Sequence, residues 1–229
     1  MTQAEVWEKE YHGRPQLITK HNEPQATFLR FLKFYKKIFT KDFHGQKAFD
    51  AGCGTGRNSN YLSKLGFDVY ASDISHSAIG EAKKRAKEND LKIDYFVSDL
   101  SEKQWFEDSS FDLVIDVTSS NSLDEKGRNV FISEVHRILR PGGCFFVRAL
   151  CIDGDKNAKN LVKNFPGPEY NTYKMPELGL IERVFSRVEF EEMYSKYFKI
   201  LKIVKESGYT KFGNQSYKRN FLVAYLQKV

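Results

Sequence analysis

Four short stretches carry residues whose types and spacing suit a nucleotide-like ligand. "FDAGCGTGRN" sets Gly52, Cys53, Gly54 and Gly56 in one turn, followed at once by Arg57 and Asn58. Glycines in such a turn accept left-handed backbone angles and let a ligand approach the main chain. "VYASDIS" carries Asp73 and Ile74 about twenty residues beyond the first glycine, the distance at which an acid meets both hydroxyls of a ribose. "VSDL" carries Asp99 and Leu100, and "FDLVIDV" ends on Asp116 and Val117. Each of these acids closes an apolar run of strand length.

The glycines and Asp73 together point to an adenosine-type cofactor. A dinucleotide fingerprint needs glycine at its sixth position for close helix–strand packing, and Arg57 stands there instead. No GK[ST] follows, so the turn is not a P-loop. Arg57 itself is informative, because a cation in the first turn of a helix opposes the helix dipole. Nothing nearby in sequence offsets it, whereas a negative ligand group would. A cofactor with a carboxylate near the turn and a ribose near Asp73 fits S-adenosylmethionine.

These residues must be held by strands and helices in alternation. "KAFDAG", "FDVYASD", "LKIDYFVSD", "FDLVIDV" and "CFFVRAL" read as five strands. Between them lie helical segments, including one that opens on Ser75 and one that is stopped by "PGG". Such alternation implies an α/β, doubly wound, mostly parallel sheet with helices on both faces. "KILKIVKESGY" and "SYKRNFLVAYLQKV" read as a closing C-terminal antiparallel hairpin. The expected organisation is one domain over 1–229. Residues 1–44 form a helical cap, 45–151 the cofactor-binding core, 152–185 an insertion or lid, and 186–229 a helix and strand pair. The insertion shows no clear secondary structure in its sequence, which is common for segments that cover a site.

Composition is that of a globular protein, 41% hydrophobic and 29% charged, with a net charge of +6. The apolar runs are strand-length, so no membrane span is expected. The polar N-terminus excludes a secretory signal, which points to a cytoplasmic protein. Cys53, Cys144 and Cys151 are odd in number and contain no CxxC, so neither a disulfide framework nor a metal site is expected. The positive charge is interleaved with apolar residues, as on the solvated face of helices and strands. A nucleic-acid partner is an alternative the charge alone does not favour.

The chain resembles the class I S-adenosylmethionine-dependent methyltransferases. "FDAGCGTG", "VYASDIS", "VSDL" and "WFEDSSFDLVIDV" resemble four successive motifs of that family, and "HRILRPGGCFFV" the helix–turn–strand that follows. The resemblance implies a seven-stranded sheet and S-adenosylmethionine as cofactor. Gly52, Gly54 and Gly56 would pass near its methionine part, and Asp50 would position that turn. Asp73 would bind the ribose, Ile74 and Leu100 would flank the adenine, and Asp99 would accept from its amino group. Asp116 and Val117 would lie near the methyl group. "GRNS" and the following "YL" and "GFDV" resemble most the small-molecule branch that includes tellurite-resistance and thiol methyltransferases. Those enzymes are usually apolar after the fourth strand, where this chain reads "VTSSNSL".

The activity so implied is in-line methyl transfer to a small-molecule acceptor. Alternatives are an RNA (ribose) or protein methyltransferase, and a cofactor-binding protein without turnover. Candidate catalytic residues are Asp116, Tyr11 and His12, with Asp153 a further possible base. Trp7 and Tyr11 lie one helical turn apart and either roof the cofactor or pack on the core. Arg148 and Tyr170, with Tyr173, are candidates for contact with substrate.

Overall fold

The fourth strand of the chain, β4 (Phe111–Val117), is an apolar run whose Phe111, Leu113, Val114 and Ile115 are at most 1% exposed. A strand of this kind needs cover on both faces, which a parallel sheet between helices supplies. In the computed structural model, which describes residues 1–13, 17–18, 22–40, 42–212 and 214–229, it lies at the middle of such a sheet. β1 (Lys47–Ala51) and β5 (Leu139–Cys151) flank it, both parallel. Outside β1 come β2 (Asp68–Asp73) and β3 (Ile93–Val97), also parallel. On the far side β9 (Gln215–Lys228) runs antiparallel to β5, and β8 (Phe198–Phe212) runs antiparallel to β9. The order is β3-β2-β1-β4-β5-β9-β8. The mostly parallel seven-stranded sheet closed by an antiparallel hairpin is the one the alternation implies.

Helices cover the two faces. α2 (Ala26–Ile38) sets Phe28, Phe31, Leu32 and Tyr35 against one face, where the Phe31 and Phe146 ring centres are 4.6 Å apart. Burying each such ring contributes roughly 2–3 kcal/mol. α3 (Arg57–Lys64) adds Leu62 to that core, and α4 (His76–Glu88) packs Ile79 and Ala82 on Ala71 and Tyr95. The opposite face carries Phe131, Val135 and Ile138 of α5 (Glu125–Ile138) and Phe190 and Tyr194 of α7 (Arg187–Tyr194). No helix among the described residues is long and apolar enough to cross a membrane.

Two segments differ from the sequence reading. β5 begins at Leu139, which pairs with Phe111, so "PGG" lies within a bulged strand start rather than in a turn before it. The insertion holds α6 (Lys156–Asn164), capped by Asp155 at Ala158 N (2.8 Å), and a ribbon of β6 (Thr172–Lys174) and β7 (Ile181–Arg183). Only Ala158 of α6 is buried, and the two strands are three residues each, so neither leaves an apolar period to read.

Candidate functional site

Strand order reverses between β1 and β4, and ligands in open α/β sheets bind outside the carboxyl ends at that point. Here one cavity opens there, with walls from the ends of β1, β2, β3 and β4. Asp73 closes β2. Its Oδ2 accepts from Gly54 N (2.8 Å) and its Oδ1 from Ser75 N (3.0 Å). Burial pushes its pKa up, opposed by these amide donors. The Ile74 amide is a third donor, and three donors leave the carboxylate at least one acceptor position for a further partner in the cavity. Asp99 Oδ1 accepts from Ser101 N (2.8 Å), and Ile74 and Leu100 form apolar wall beside the two acids.

The glycine turn is shaped by close packing as well as by access. A Cβ on Gly52 would lie 2.2 Å from Ser119 Cβ, so the turn fits directly against the loop after β4. Gly54 faces the Tyr11 hydroxyl, 2.6 Å from where its own Cβ would be. Gly56 has φ +80° and faces the Tyr95 hydroxyl, where a Cβ would be 2.2 Å away. It therefore lies outside the cavity wall and lets α3 settle on β3 and α4, the packing task assigned to glycine at the sixth position of a dinucleotide motif. Asp50, 1% exposed, also lies behind the wall, accepting from Ser59 Oγ (2.5 Å). Burial pushes its pKa up to about 7.

Arg57 is the first residue of α3 and part of the wall. Burial lowers its pKa below the ordinary guanidinium value, while Asp50 and Tyr11 favour its charge and Arg85 opposes it. Asp50 thus supplies some of the compensation that the neighbouring sequence lacked. Among the described residues no carboxylate forms a salt bridge with Arg57. Beside it, Asn58 Oδ1 is buried without a hydrogen-bond partner.

The polar stretch after β4 forms the opposite wall through Val117, Thr118, Ser119, Ser122 and Leu123. Thr118 has φ +63°, a left-handed angle that costs a β-branched residue about 1–3 kcal/mol. Its N–H donates to Arg148 O (2.8 Å), and the next residues are tied to Asp116. Asp116 Oδ1 accepts from Ser119 N (2.9 Å) and Ser119 Oγ (2.6 Å), and its Oδ2 accepts from Ser120 Oγ. Asp116 is fully buried and pushed up in pKa by burial.

The roof is α1 (Gln3–His12), opened by a capping box between Thr2 and Glu5. Gln3, Trp7 and Tyr11 face the cavity, together with Leu17 and Ile18. The helix is held to the N-terminus of α4 by Glu8, which accepts from Ser75 Oγ (2.7 Å) and Ser77 Oγ (2.5 Å). These bonds lower the Glu8 pKa to about 2. Gln3 Oε1 accepts from Ile181 N (3.0 Å), which ties the roof to β7 of the insertion.

The cavity therefore gathers Trp7, Tyr11, Gly52, Cys53, Gly54, Arg57, Asn58, Asp73, Ile74, Asp99, Leu100 and Val117. Other expected site residues lie elsewhere. Asp116 lies beneath the wall, fully buried and bonded to Ser119 and Ser120, and is not among the residues that line the cavity. His12 is exposed, its Nδ1 3.4 Å from Ser77 Oγ on α4, and it lies off the cavity. Asp153 accepts from Arg187 N (2.8 Å) away from it. Tyr170 is 76% exposed over Arg183, and Tyr173 is buried in the insertion against Glu182 and Arg219. Arg148 is outside the wall, one strand beyond Val117. The residues not singled out beforehand are Gln3, Leu17, Ile18, Thr55, Ser98, Thr118, Ser119, Ser122 and Leu123. The polar departure "VTSSNSL" was the one sequence signal for four of these.

Residues 48–143 match a family described as a methyltransferase domain. A ubiquinone biosynthesis O-methyltransferase of Pelagibacter ubique is 31% identical over 151 residues, covering 61% of this chain and 58% of its own. A solved S-adenosylmethionine-dependent methyltransferase from Methanosarcina mazei is 25% identical with a TM-score of 0.76, covering 90% of this chain and 99% of its own. Over residues 48–143 the chain is thus a methyltransferase domain, and its fold is that of the S-adenosylmethionine-dependent methyltransferases. The Haemophilus influenzae TehB structure, 20% identical with a TM-score of 0.64, covers 99% of this chain and 67% of its own and shares the fold. The chain spans about half of the length of the curated relatives it matches.

The cavity walls fit S-adenosylmethionine. An acid stands at the end of each of β2 and β3, apolar side chains lie between, and the glycine turn carries, among the described residues, a guanidinium in no salt bridge and an amide oxygen without a hydrogen-bond partner. Among the described residues no group of His, Cys, Asp and Glu is arranged to hold a metal ion.

Proposed function

We propose that the methyltransferase moves a methyl group from S-adenosylmethionine to a small-molecule acceptor by in-line transfer. The observation that carries the reading is the division of one cavity between two chemistries. Asp73 and Asp99 with the apolar Ile74 and Leu100 line it together with Arg57, which is in no salt bridge among the described residues, and the polar β4 loop. In this reading Asp73 takes the ribose hydroxyls, Asp99 the adenine amino group, and Ile74 and Leu100 the adenine faces. Arg57 takes the methionine carboxylate and Asn58 Oδ1 the amine. When bound, the cofactor supplies a methyl group already activated by its sulfonium. The chain's own work is then to align and enclose.

Alignment rather than proton removal follows from the titratable groups of the wall. Burial, reinforced by Asp73 and Cys53, pushes the Tyr11 pKa well above its ordinary value, so its hydroxyl stays protonated and donates. Burial likewise keeps Cys53 a thiol. Neither group can take a proton near neutral pH, and a general base needs a pKa near the working pH. In this reading the acceptor enters as a ready nucleophile, because Asp73 and Asp99 are occupied by the cofactor. The wall orients it against the methyl group, and the α1 roof with Trp7 and Tyr11 keeps water out.

Calorimetric titration with S-adenosylhomocysteine tests the reading. The protein should bind it, and Asp73→Ala should weaken binding by about ten-fold or more, the size of a hydrogen bond to a charged group. Unchanged affinity in the variant would remove the ribose assignment.

A further inference from the structure

Two buried side-chain atoms of the cavity wall have no hydrogen-bond partner among the described residues, Asn58 Oδ1 and Ser122 Oγ. The cofactor reading gives Asn58 the methionine amine and leaves Ser122 unused. Ser122 is 8% exposed and ends a short 3₁₀ turn over Ser120–Ser122, where its N–H donates to Ser119 O (3.1 Å). The turn is held from both sides. Ser119 packs directly on Gly52, and Leu123 O accepts from the Arg128 guanidinium. The Ser122 hydroxyl therefore stands at a fixed place on the wall that follows β4.

The other hydroxyls of that wall are spent inside the protein. Thr118 Oγ1 donates to Val117 O (2.6 Å). Ser119 Oγ is bonded to Asp116 Oδ1 (2.6 Å) and lies 2.7 Å from Ala51 O, and Ser120 Oγ donates to Asp116 Oδ2. The Asn121 amide also lacks partners, but it is 1% exposed and lies off the cavity. A buried hydroxyl left unbonded is costly, and on a cavity wall it marks a place for a ligand or a water. The ends of β1, β2 and β3 are given to the cofactor, so the wall after β4 and the roof remain for the acceptor. That remaining lining is mostly apolar: Trp7, Tyr11, Leu17, Ile18 and Leu123, with the Trp7 and Tyr11 ring centres 6.3 Å apart.

We propose that Ser122 selects the methyl acceptor by a hydrogen bond to an uncharged hydroxyl or amino group of that molecule, whose apolar body lies under Trp7 and Tyr11. The assignment rests on the cofactor reading, because that reading gives Asn58, Arg57, Asp73 and Asp99 their partners and leaves this hydroxyl for a second molecule. A serine hydroxyl both donates and accepts, so it suits an alcohol, a phenol or an amine. It brings no charge to balance an ion, and a thiol makes only weak hydrogen bonds, so it selects for neither. Ser122 acts here as a specificity-determining residue.

The test uses the protein saturated with S-adenosylhomocysteine and two probes of one shape, phenol and fluorobenzene, titrated by ligand-observed NMR. Ser122→Ala should weaken phenol binding about five-fold, the size of one neutral hydrogen bond, and leave fluorobenzene within about two-fold. Ser122→Cys, close in size but a poor hydrogen-bonding partner, should weaken phenol in the same direction. Because the hydroxyl has no partner in the fold, Ser122→Ala should not lower the melting temperature. A clear fall would show that the hydroxyl is bonded within the protein, and it overturns the proposal. Equal changes for the two probes in Ser122→Ala, no change for either, or no binding of phenol by the unaltered protein also overturns it. So does a loss of S-adenosylhomocysteine affinity in Ser122→Ala equal to that in Asp73→Ala, which would make Ser122 a cofactor ligand. Failure of S-adenosylhomocysteine to bind the unaltered protein refutes the cofactor reading instead, and the same two probes then test Ser122 in the unloaded protein.

Discussion

Replacing Arg57 by alanine would separate the two halves of the proposed cofactor site. The side chain is partly buried in the cavity wall, so bulk water screens it little. Its charge is already disfavoured by burial, and Asp50 compensates only through space, its own carboxylate being bonded to Ser59. A ligand carboxylate that reaches it restores a direct charge-assisted contact. Such a contact contributes about 2 kcal/mol, or about thirty-fold in affinity. Methylthioadenosine has the adenosine and sulfur but no carboxylate, so its affinity should change by less than about three-fold. The ratio of the two losses is the measured quantity, read by calorimetry at one ionic strength. Removing a cation from the first turn of α3 should favour the helix by a few tenths of a kcal/mol, so a lower affinity would not come from unfolding. Equal losses for both ligands, or none for S-adenosylhomocysteine, would refute the carboxylate contact.

Other outcomes follow from the same packing. Asp50, pushed by burial from its ordinary 3.8 to about 7, holds its proton more tightly folded than unfolded, so stability should rise by roughly 4 kcal/mol as pH falls from about 7 to about 4. Urea titrations should show that slope in the unaltered protein and its loss in Asp50→Asn, whereas matching pH profiles would exclude it. Gly56→Ala should destabilise by about 2 kcal/mol or more, because its Cβ would meet the Tyr95 hydroxyl at a left-handed backbone angle. Thermal melting should show partial recovery when Tyr95→Phe is added, and no recovery would place the strain elsewhere. Arg128 is 1% exposed and bonds both Leu123 O of the cavity wall and Glu169 of the insertion (2.7 Å), so Arg128→Met should cost about 3 kcal/mol in urea unfolding by stranding Glu169; an unchanged midpoint would show that the pair does not hold the insertion in place.

The placing of the residues proposed to hold adenosine was legible because each stands at or just beyond the end of a strand. A parallel sheet brings strand ends to one edge, so Asp73, Asp99 and the glycine turn meet wherever the apolar runs before them form β2, β3 and β1. Arg57 was legible for a related reason, since a cation at a helix start contradicts the dipole and asks for an explanation. Gly56 and Asp116 show where the reading stops. Both occupy motif positions, yet one turns its face to Tyr95 and the other is spent on two serines. Sequence position fixes which strand end a residue occupies and leaves open whether its side chain points into the cavity or beneath it.

The acceptor half has no such local code. Its walls come from α1, Leu17 and Ile18, and the loop after β4, elements far apart in the chain, with α1 tied to α4 through Glu8 and to β7 through Gln3. Nothing along these stretches announces which residues will meet, because the contacts that gather them are made across the fold and not along the chain. Arg148 illustrates the converse. In "FFVRAL" it stands at a strand end like Asp73, yet its guanidinium stacks on Phe221 one strand beyond Val117 and outside the cavity wall. A strand end brings a residue to the right edge of the sheet, and only the packing around it decides whether the side chain enters the cavity.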